Sequence, residues 1–429
     1  MLVRPALLVA YPPAPKTGIA GARQLNPPII DAVSNLRRIF PTSHSKLPPA
    51  MRRLVGLAAI VLIGCGPRAA ANSPSPTPNA TVSASVAASA SATVDQDPIL
   101  GPAGLTLRQE IGAVMMVGFK GSLTSAVLND WKIRQFGGLI VVPINQNAHD
   151  AAAIRQLIQS VRGVMAHPLL VSTNQEGGTV CFVETGVPCL AGARQAGPHG
   201  PSAVQSEMSS MSQGLKGLGF DINFAPVADV WDGVHLFMSE RSYGQNPQAV
   251  AQDVTAAIAG IHAAGMYAAA KHFPGHGSAD ADSHLKLPLV SESAQTLRDR
   301  DWVPFRAAIA ARVDMVMVGH LNVPAIDGTA PTSMSLAVIQ DLRSELGYQG
   351  VVISDDVQMA ALSPQYPPPA AAVRFLENGG DMVIVSHDIE VADAAYDAIH
   401  AAVQSGSYPR SQLDASVQKL LNLGLRYMP

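Results

Sequence analysis

Short apolar runs recur along the chain beyond residue 97, and helix-like segments lie between them. Runs of this length, bounded by glycine, proline or polar residues, are typical of buried strands. The pattern predicts eight strands, at residues 114–119, 138–142, 169–173, 222–228, 266–270, 314–318, 351–354 and 382–385.

The segment after Asn246 and Pro247 is the clearest predicted helix. Asn246 is a favourable N-cap residue, and a proline is well tolerated in the first turn of a helix. Gly265 is a residue type at which helices often end. The apolar residues between them recur at spacings of four and three, which places them on one face; they are Val250, Val254, Ile258 and Ile261.

Strands that alternate with helices favour parallel βαβ units. Eight units predict an α/β protein with a single (β/α)8 TIM barrel over residues 97–429, and an open doubly wound sheet is the alternative.

Polar residues follow five of the predicted strands. In chain order they are Asn174 to Glu176, Asp229, Lys271 with His272, His320, and Asp355 with Asp356. The carboxyl ends of barrel strands meet at one mouth, where barrel enzymes keep their catalytic groups. We therefore expect these side chains to converge.

The densest polar cluster lies between Lys271 and His284. Its glycines and its proline predict a loop rather than a regular strand. In an extended segment Asp282 and His284 would point to the same side, so the carboxylate could orient the imidazole. A histidine held in this way suits general acid/base catalysis. A metal held by His276, Asp282 and His284 is the less favoured alternative.

Residues 1–96 are expected to lie outside the barrel. Residues 51–65 begin with two arginines and continue with an apolar run that is too short to span a bilayer as a helix. This pattern is typical of a signal peptide. The run ends at Cys65 in a sequence that resembles a bacterial lipobox, which implies a lipid on this cysteine and an extracytoplasmic, membrane-anchored protein. Met51 is then the true start, and residues 1–50 are an upstream extension; an uncleaved anchor is the alternative. Residues 66–96, rich in Ala, Ser, Thr and Pro, predict a flexible tether.

The charge balance and the absence of certain motifs argue against nucleic-acid binding and against a metal or cofactor. The chain has 29 basic and 32 acidic residues and a net charge of -3, without the basic excess of a nucleic-acid binder. It lacks a Cys/His metal spacing, a phosphate-binding glycine loop and a His-Glu-x-x-His pattern, so we expect no metal and no cofactor. Cys181 and Cys189 could pair in an exported protein or remain free.

Several motifs together resemble one family. They are residues 175–178, 223–230, 241–244, 271–277 with 282–284, and 354–356. In this order they are similar to the β-N-acetylhexosaminidase branch of family 3 glycoside hydrolases, over roughly residues 105–425.

This resemblance implies a retaining exo-β-N-acetylhexosaminidase that removes terminal N-acetylglucosamine, from cell-wall glycans in our interpretation. Asp355 matches the family's nucleophile, and His284, paired with Asp282, matches its acid/base. The residues expected to bind the sugar are Lys271, His272, Arg241, Asn174 and His320. Asp356 is expected to be a helix cap and Asp229 a structural carboxylate. We expect a monomer.

Two positions depart from the family's usual pattern. Asn174 stands where an aspartate is usual, and Thr179 where an arginine is usual. An amide oxygen is a weaker acceptor than a carboxylate, so the identity of the sugar stays open. Two alternatives also stay open: a phosphorylase that uses phosphate as acceptor, and a tethered sugar-binding protein without turnover.

Overall fold

A computed structural model describes residues 100–362 and 365–424. The predictions for residues 1–50, 51–65 and 66–96 lie outside this part of the chain. Within it, parallel strands form a closed barrel in the order β1-β10-β9-β8-β7-β6-β3-β2, which confirms the predicted (β/α)8 fold. The barrel strands are β1 (Met115–Val117), β2 (Gly138–Ile140), β3 (Leu170–Thr173), β6 (Ile222–Asn223), β7 (Tyr267–Phe273), β8 (Met315–Val318), β9 (Val351–Asp356) and β10 (Met382–Val385). A hairpin of β4 (Gln175–Gly177) and β5 (Val180–Cys181) follows β3.

Helices lie before β1, between successive barrel strands and after β10. They are α1 (Leu107–Ala113), α2 (Ser125–Arg134), α3 (Ala151–Arg162), α4 (Ala193–Ala196), α5 (Pro201–Leu218), α6 (Pro247–Ala263), α7 (Ala294–Thr296), α8 (Trp302–Ala310), α9 (Leu336–Gln340), α10 (Pro368–Glu377), α11 (Ile389–Ser405) and α12 (Arg410–Asn422). Two short π-helical segments adjoin α8 and α9, at Leu297–Asp301 and Asp341–Glu345. None of the helices in the described part of the chain has the length and apolar character needed to cross a membrane.

Helix α6 forms as the sequence predicts. The side chain of Asn246 accepts hydrogen bonds from the backbone N–H groups of Gln248 and Ala249, which satisfies two donors that the first turn leaves free. The apolar stripe that begins at Val250 is buried against the barrel and its neighbouring helices. The helix is thus fixed by its cap and by the apolar face that it buries.

Strand β7 extends further than predicted. Lys271 and His272 belong to the strand rather than to a loop, so the expectation that glycine and proline would end the strand before them is wrong. The N–H of Lys271 donates to the carbonyl of Pro226, and the N–H of Ala228 donates to the carbonyl of Lys271. These ladder bonds come from a segment distant in sequence, and the breakers act only from Pro274 onward.

Aromatic packing holds the end of β7 in place. The ring of Phe273 is fully buried, and it lies 5.7 Å from the ring of Trp302 and 5.3 Å from that of Phe305, both on α8. This packing anchors the residues that immediately precede Phe273.

The predicted fourth strand is shorter than expected, because the N–H of Ala225 bonds to the carbonyl of Asn223 and turns the chain.

Candidate active site

The candidate site lies at the carboxyl ends of the barrel strands. Asn174 follows β3, Lys271 and His272 lie in the last part of β7, His320 follows β8, and Asp355 lies near the end of β9. Contacts join side chains that are far apart in sequence, such as Lys271 and Asn174, 97 positions apart. The predicted convergence of these residues at one mouth is confirmed.

A buried carboxylate, Glu176, organises the cationic side of the site. Its two oxygens accept hydrogen bonds from Nε and Nη2 of Arg241, each at 2.8 Å, in a bidentate pair. The Nζ of Lys271 lies 2.6 Å from Oε1 of the same carboxylate and also donates to Oδ1 of Asn174 at 2.6 Å. Burial alone would raise the pKa of Glu176, but the two cations lower it far below its ordinary value. Glu176 is therefore an anion that holds both cations in place.

Asp229 is fully buried and fixes two histidines. It lies 2.7 Å from Nδ1 of His272, and it accepts a hydrogen bond of 2.7 Å from the backbone N–H of His276. Burial lowers the pKa of His276 to about 4, with the neighbouring His272 adding to the effect. His276 is thus neutral near neutral pH, and Asp229 has the structural role that the sequence predicted.

Asp282 and His284 form the predicted pair. Oδ1 of Asp282 lies 2.7 Å from Nδ1 of the imidazole and also accepts the backbone N–H of His284 at 2.9 Å. The segment is a turn rather than an extended strand, because the N–H groups of Leu285 and Lys286 bond to the carbonyl of Asp282. The pairing was predicted, and the backbone geometry that was expected to produce it was wrong.

Asp355 is partly exposed at the mouth. Its Oδ1 accepts a hydrogen bond of 2.8 Å from the N–H of Asp356. Burial would raise the pKa of Asp355, but the charges of His320, His272 and His284 outweigh it and lower the pKa to about 2. Asp355 is therefore ionised at neutral pH, as a carboxylate nucleophile must be.

His320 has a different environment from the one expected of a sugar ligand. It is fully buried, with Nδ1 2.7 Å from the hydroxyl of Ser333 and Nε2 2.9 Å from the backbone carbonyl of Asp356. Both ring nitrogens already have partners in the protein. We therefore interpret His320 as a residue that positions the end of β9 rather than one that binds substrate.

Two parts of the site were not predicted from the sequence. Glu176 lies in a motif that was recognised, but its role depends on Arg241, 65 positions away. Ser386 and His387, directly after β10, were not predicted at all, although they occupy the position where polar residues follow five other strands. That positional rule is the signal that could have found them.

The two cysteines whose pairing the sequence left open form a disulfide. Cys181 and Cys189 are joined, with 5.7 Å between their Cα atoms. Cys181 ends β5, and the hairpin that contains β5 begins directly after Asn174. The disulfide therefore restrains the loop beside the cationic side of the site.

Among the described residues, no group of three or more His, Cys, Asp or Glu is arranged to hold a metal ion.

Comparison with known proteins gives one consistent result. Residues 106–423 match the model of the glycosyl hydrolase family 3 N terminal domain. A beta-hexosaminidase of Stenotrophomonas maltophilia (strain R551-3) is 33% identical over 294 residues, which cover 67% of this chain and 87% of that protein.

Solved structures agree with the sequence relatives. The family 3 β-N-acetylglucosaminidase of Paenibacillus sp. str. FPU-7 superposes with a TM-score of 0.70 at 36% identity, and the match covers 74% of this chain and 62% of that chain. The β-N-acetylhexosaminidase of Beutenbergia cavernae superposes with a TM-score of 0.68 at 27% identity, covering 75% of this chain and 99% of that chain.

Proposed function

Since the chain belongs to glycosyl hydrolase family 3, we propose that it is a retaining exo-β-N-acetylhexosaminidase that hydrolyses terminal β-linked N-acetylglucosamine. The observation that carries the proposal is a histidine oriented by a carboxylate at the mouth that also holds an ionised aspartate. The relatives named above carry hexosaminidase and N-acetylglucosaminidase names, which supports the same activity.

The proposed reaction has two steps. Asp355 attacks the anomeric carbon and forms a glycosyl ester, while the bond to the leaving oxygen breaks and protonated His284 gives that oxygen its proton. His284 then takes a proton from water, the resulting hydroxide attacks the anomeric carbon, and the carboxylate of Asp355 leaves. Asp282 keeps the imidazole in one orientation and stabilises its protonated form.

The cationic side of the mouth is proposed to hold the terminal sugar. Lys271 has three N–H donors and uses two of them on Glu176 and Asn174, which leaves a donor for a sugar hydroxyl. Arg241 is held rigidly by both oxygens of Glu176. A fixed cation and a fixed amide can position hydroxyls without moving when the substrate binds.

We propose further that the protein is a monomeric, extracytoplasmic lipoprotein that acts on cell-wall glycans in peptidoglycan turnover. The signal-like residues 51–65 with Cys65, and the tether-like composition of residues 66–96, support this proposal. Mass spectrometry of the protein from its host tests it. A lipid-modified N-terminal peptide that begins at Cys65 is expected, and a peptide from residues 1–50 would contradict the start at Met51.

Turnover of a chromogenic β-N-acetylglucosaminide by the full chain tests the activity. Hydrolysis is expected for the wild type and for the control Asp397→Ala, whose side chain is exposed on α11, but not for Asp355→Ala. Parallel reactions contain phosphate or the corresponding β-glucoside. Release of sugar 1-phosphate would contradict hydrolysis in favour of a phosphorylase. Binding without turnover would contradict it in favour of a sugar-binding protein.

A further inference from the structure

One arginine side chain contacts both ends of the loop that carries Asp282 and His284. Arg300 lies in the π-helical segment before α8, and its Nη2 donates to the hydroxyl of Ser278 at 3.1 Å. Its Nη1 donates to Oε1 of Glu292 at 3.0 Å. We call the segment from Ser278 to Glu292 the acid/base loop. The proposed acid/base and its partner lie between these two contacts in the chain.

The guanidinium of Arg300 is itself held against the end of the barrel. Its Nε and Nη2 both donate to Oδ2 of Asp301, at 3.1 and 2.9 Å. Asp301 is fully buried, and it lies so close to Gly275 that a Cβ on this glycine would be 2.7 Å from Cβ of Asp301. Gly275 belongs to the same motif as Lys271 and His272. These contacts therefore connect the acid/base loop to the strand that carries the cationic side of the site.

The contacts of Arg300 are better shielded from water than those of a surface ion pair. The side chain of Arg300 is 21% exposed and that of Glu292 is 28% exposed, and Ser278 is buried. Burial lowers the pKa of Arg300, but the carboxylates of Asp301 and Glu292 outweigh it and raise the pKa above its ordinary value. A guanidinium is planar and its donors have a fixed geometry, so it sets the positions of the acceptors relative to one another.

A second set of bonds closes the acid/base loop nearer to its tip. The N–H of Asp280 donates to the carbonyl of Leu289 at 3.1 Å, and the N–H of Leu289 donates to Oδ1 of Asp280 at 2.8 Å. The N–H of Val290 donates to the carbonyl of Asn322, after β8, at 2.9 Å. Beyond these bonds the tip extends toward solvent, and the side chain of His284 is 37% exposed. The place of the tip thus depends on how firmly the base of the loop is held.

We propose that Arg300 is a positioning residue that holds the acid/base loop in register with Asp355, a role that rests on the proposed function of His284. A general acid must lie within hydrogen-bond reach of the leaving oxygen. A displacement of about 1 Å is enough to slow such a step strongly. Arg300 contacts neither the substrate nor the reacting atoms, so it acts through the loop. Its contacts matter for the step that needs a proton and not for binding of the terminal sugar.

The ends of the loop can be released without breaking the buried ion pair. Arg300→Met would leave Asp301 buried without the cation that contacts it, and this loss destabilises the whole fold. The double variant Ser278→Ala/Glu292→Ala instead removes both acceptors at the loop ends and keeps Arg300 paired with Asp301. This double variant therefore tests the restraint of the loop by itself.

The dependence of kcat/KM on the leaving group tests the role of the restraint. Dinitrophenolate leaves without a proton, whereas methoxyphenolate needs one from His284. We expect the double variant to lower kcat/KM by about ten-fold for the methoxyphenyl β-N-acetylglucosaminide and by less than about two-fold for the dinitrophenyl one. The control Glu345→Ala removes an ion pair of Arg298 in the same π-helical segment and should lower neither. An equal loss for both substrates, or no loss for either, would overturn the proposal.

Amide hydrogen exchange of the full chain, followed by mass spectrometry, tests the restraint without reference to activity. Exchange at the N–H groups of Asp280 and Leu289 should be about ten-fold faster in the double variant than in the wild type, and unchanged in Glu345→Ala. Equal exchange in all three proteins would overturn the restraint by Arg300. If the wild type has no turnover, the proposed hydrolase fails, and the exchange experiment alone decides whether Arg300 restrains the loop.

Discussion

Replacing Glu176 with glutamine removes one buried charge and leaves the buried cations Lys271 and Arg241 without the carboxylate that contacts them directly. The carboxylate lies 2.6 Å from the ammonium of Lys271 and 2.8 Å from two nitrogens of Arg241. Coulomb's law at an effective dielectric constant of about 20 gives roughly 6 kcal/mol for an ion pair at these separations, before the cost of desolvation. Removing one partner of a buried pair costs about 3–5 kcal/mol, so we expect Glu176→Gln to lower the free energy of unfolding by about 4 kcal/mol.

Urea unfolding of the wild type and Glu176→Gln at several pH values measures this loss. The pKa of Glu176 in the folded protein lies below its ordinary value of 4.5, so the carboxylate stabilises the fold above pH 4.5 and loses this contribution as the pH falls toward the folded pKa. The difference between the two proteins should be constant from about pH 6 to pH 8 and shrink below about pH 4.5.

Glu345→Gln is the matched control for this measurement. Glu345 pairs with Arg298 at 2.8 Å, but both side chains are about one-third exposed. Water and salt screen such a pair, so the expected loss is at most about 1 kcal/mol. An equal loss for both variants, or a Glu176→Gln loss that grows as the pH falls, would refute the reasoning.

Three further changes have distinct expected results. Asn174→Asp should lower KM several-fold with little change in kcat, because a carboxylate accepts stronger hydrogen bonds from sugar hydroxyls; steady-state kinetics test this, and an unchanged KM would contradict it. Asp282→Asn should lower kcat by about 10²-fold, since His284 loses the partner that orients it; a kcat close to that of the wild type would remove Asp282 from the mechanism. Paired Cys181→Ser and Cys189→Ser substitutions should lower the free energy of unfolding by about 2.5 kcal/mol, as the chain-entropy relation gives for so short a loop; equal urea midpoints would contradict this value.

The barrel was predictable because a short run of apolar residues in the sequence indicates a buried strand. The barrel strands are almost entirely buried, so each one appeared in the sequence as a short apolar segment. The ends of strands were less predictable, since they depend on partners elsewhere in the chain. Lys271 lies in β7 because its backbone bonds to Pro226 and to Ala228, and no local pattern contains that information.

The site was predictable where its chemistry is local in sequence. Asp282 and His284 are two positions apart, and this spacing led to the prediction that they pair, although the segment is a turn and not the extended strand that was assumed. Glu176 contacts Arg241 and Lys271, which only the closed barrel brings near to it, so the sequence alone did not reveal its role. His320 was assigned to the substrate because it is a polar residue that follows a strand, and nothing in the sequence indicated that its ring nitrogens contact Ser333 and the backbone of Asp356.

The central claim is that Asp355 forms a covalent bond to the sugar, and trapping that intermediate tests it most directly. His284→Gln cannot activate water, but a dinitrophenyl β-N-acetylglucosaminide needs no protonation to lose its phenolate, so the glycosyl ester should accumulate. We expect a burst of one equivalent of phenolate and a sugar adduct on the peptide that contains Asp355. An adduct on another residue would contradict the account. Turnover without a burst and without any adduct would also contradict it, and would indicate that the acetamido group of the substrate is the nucleophile.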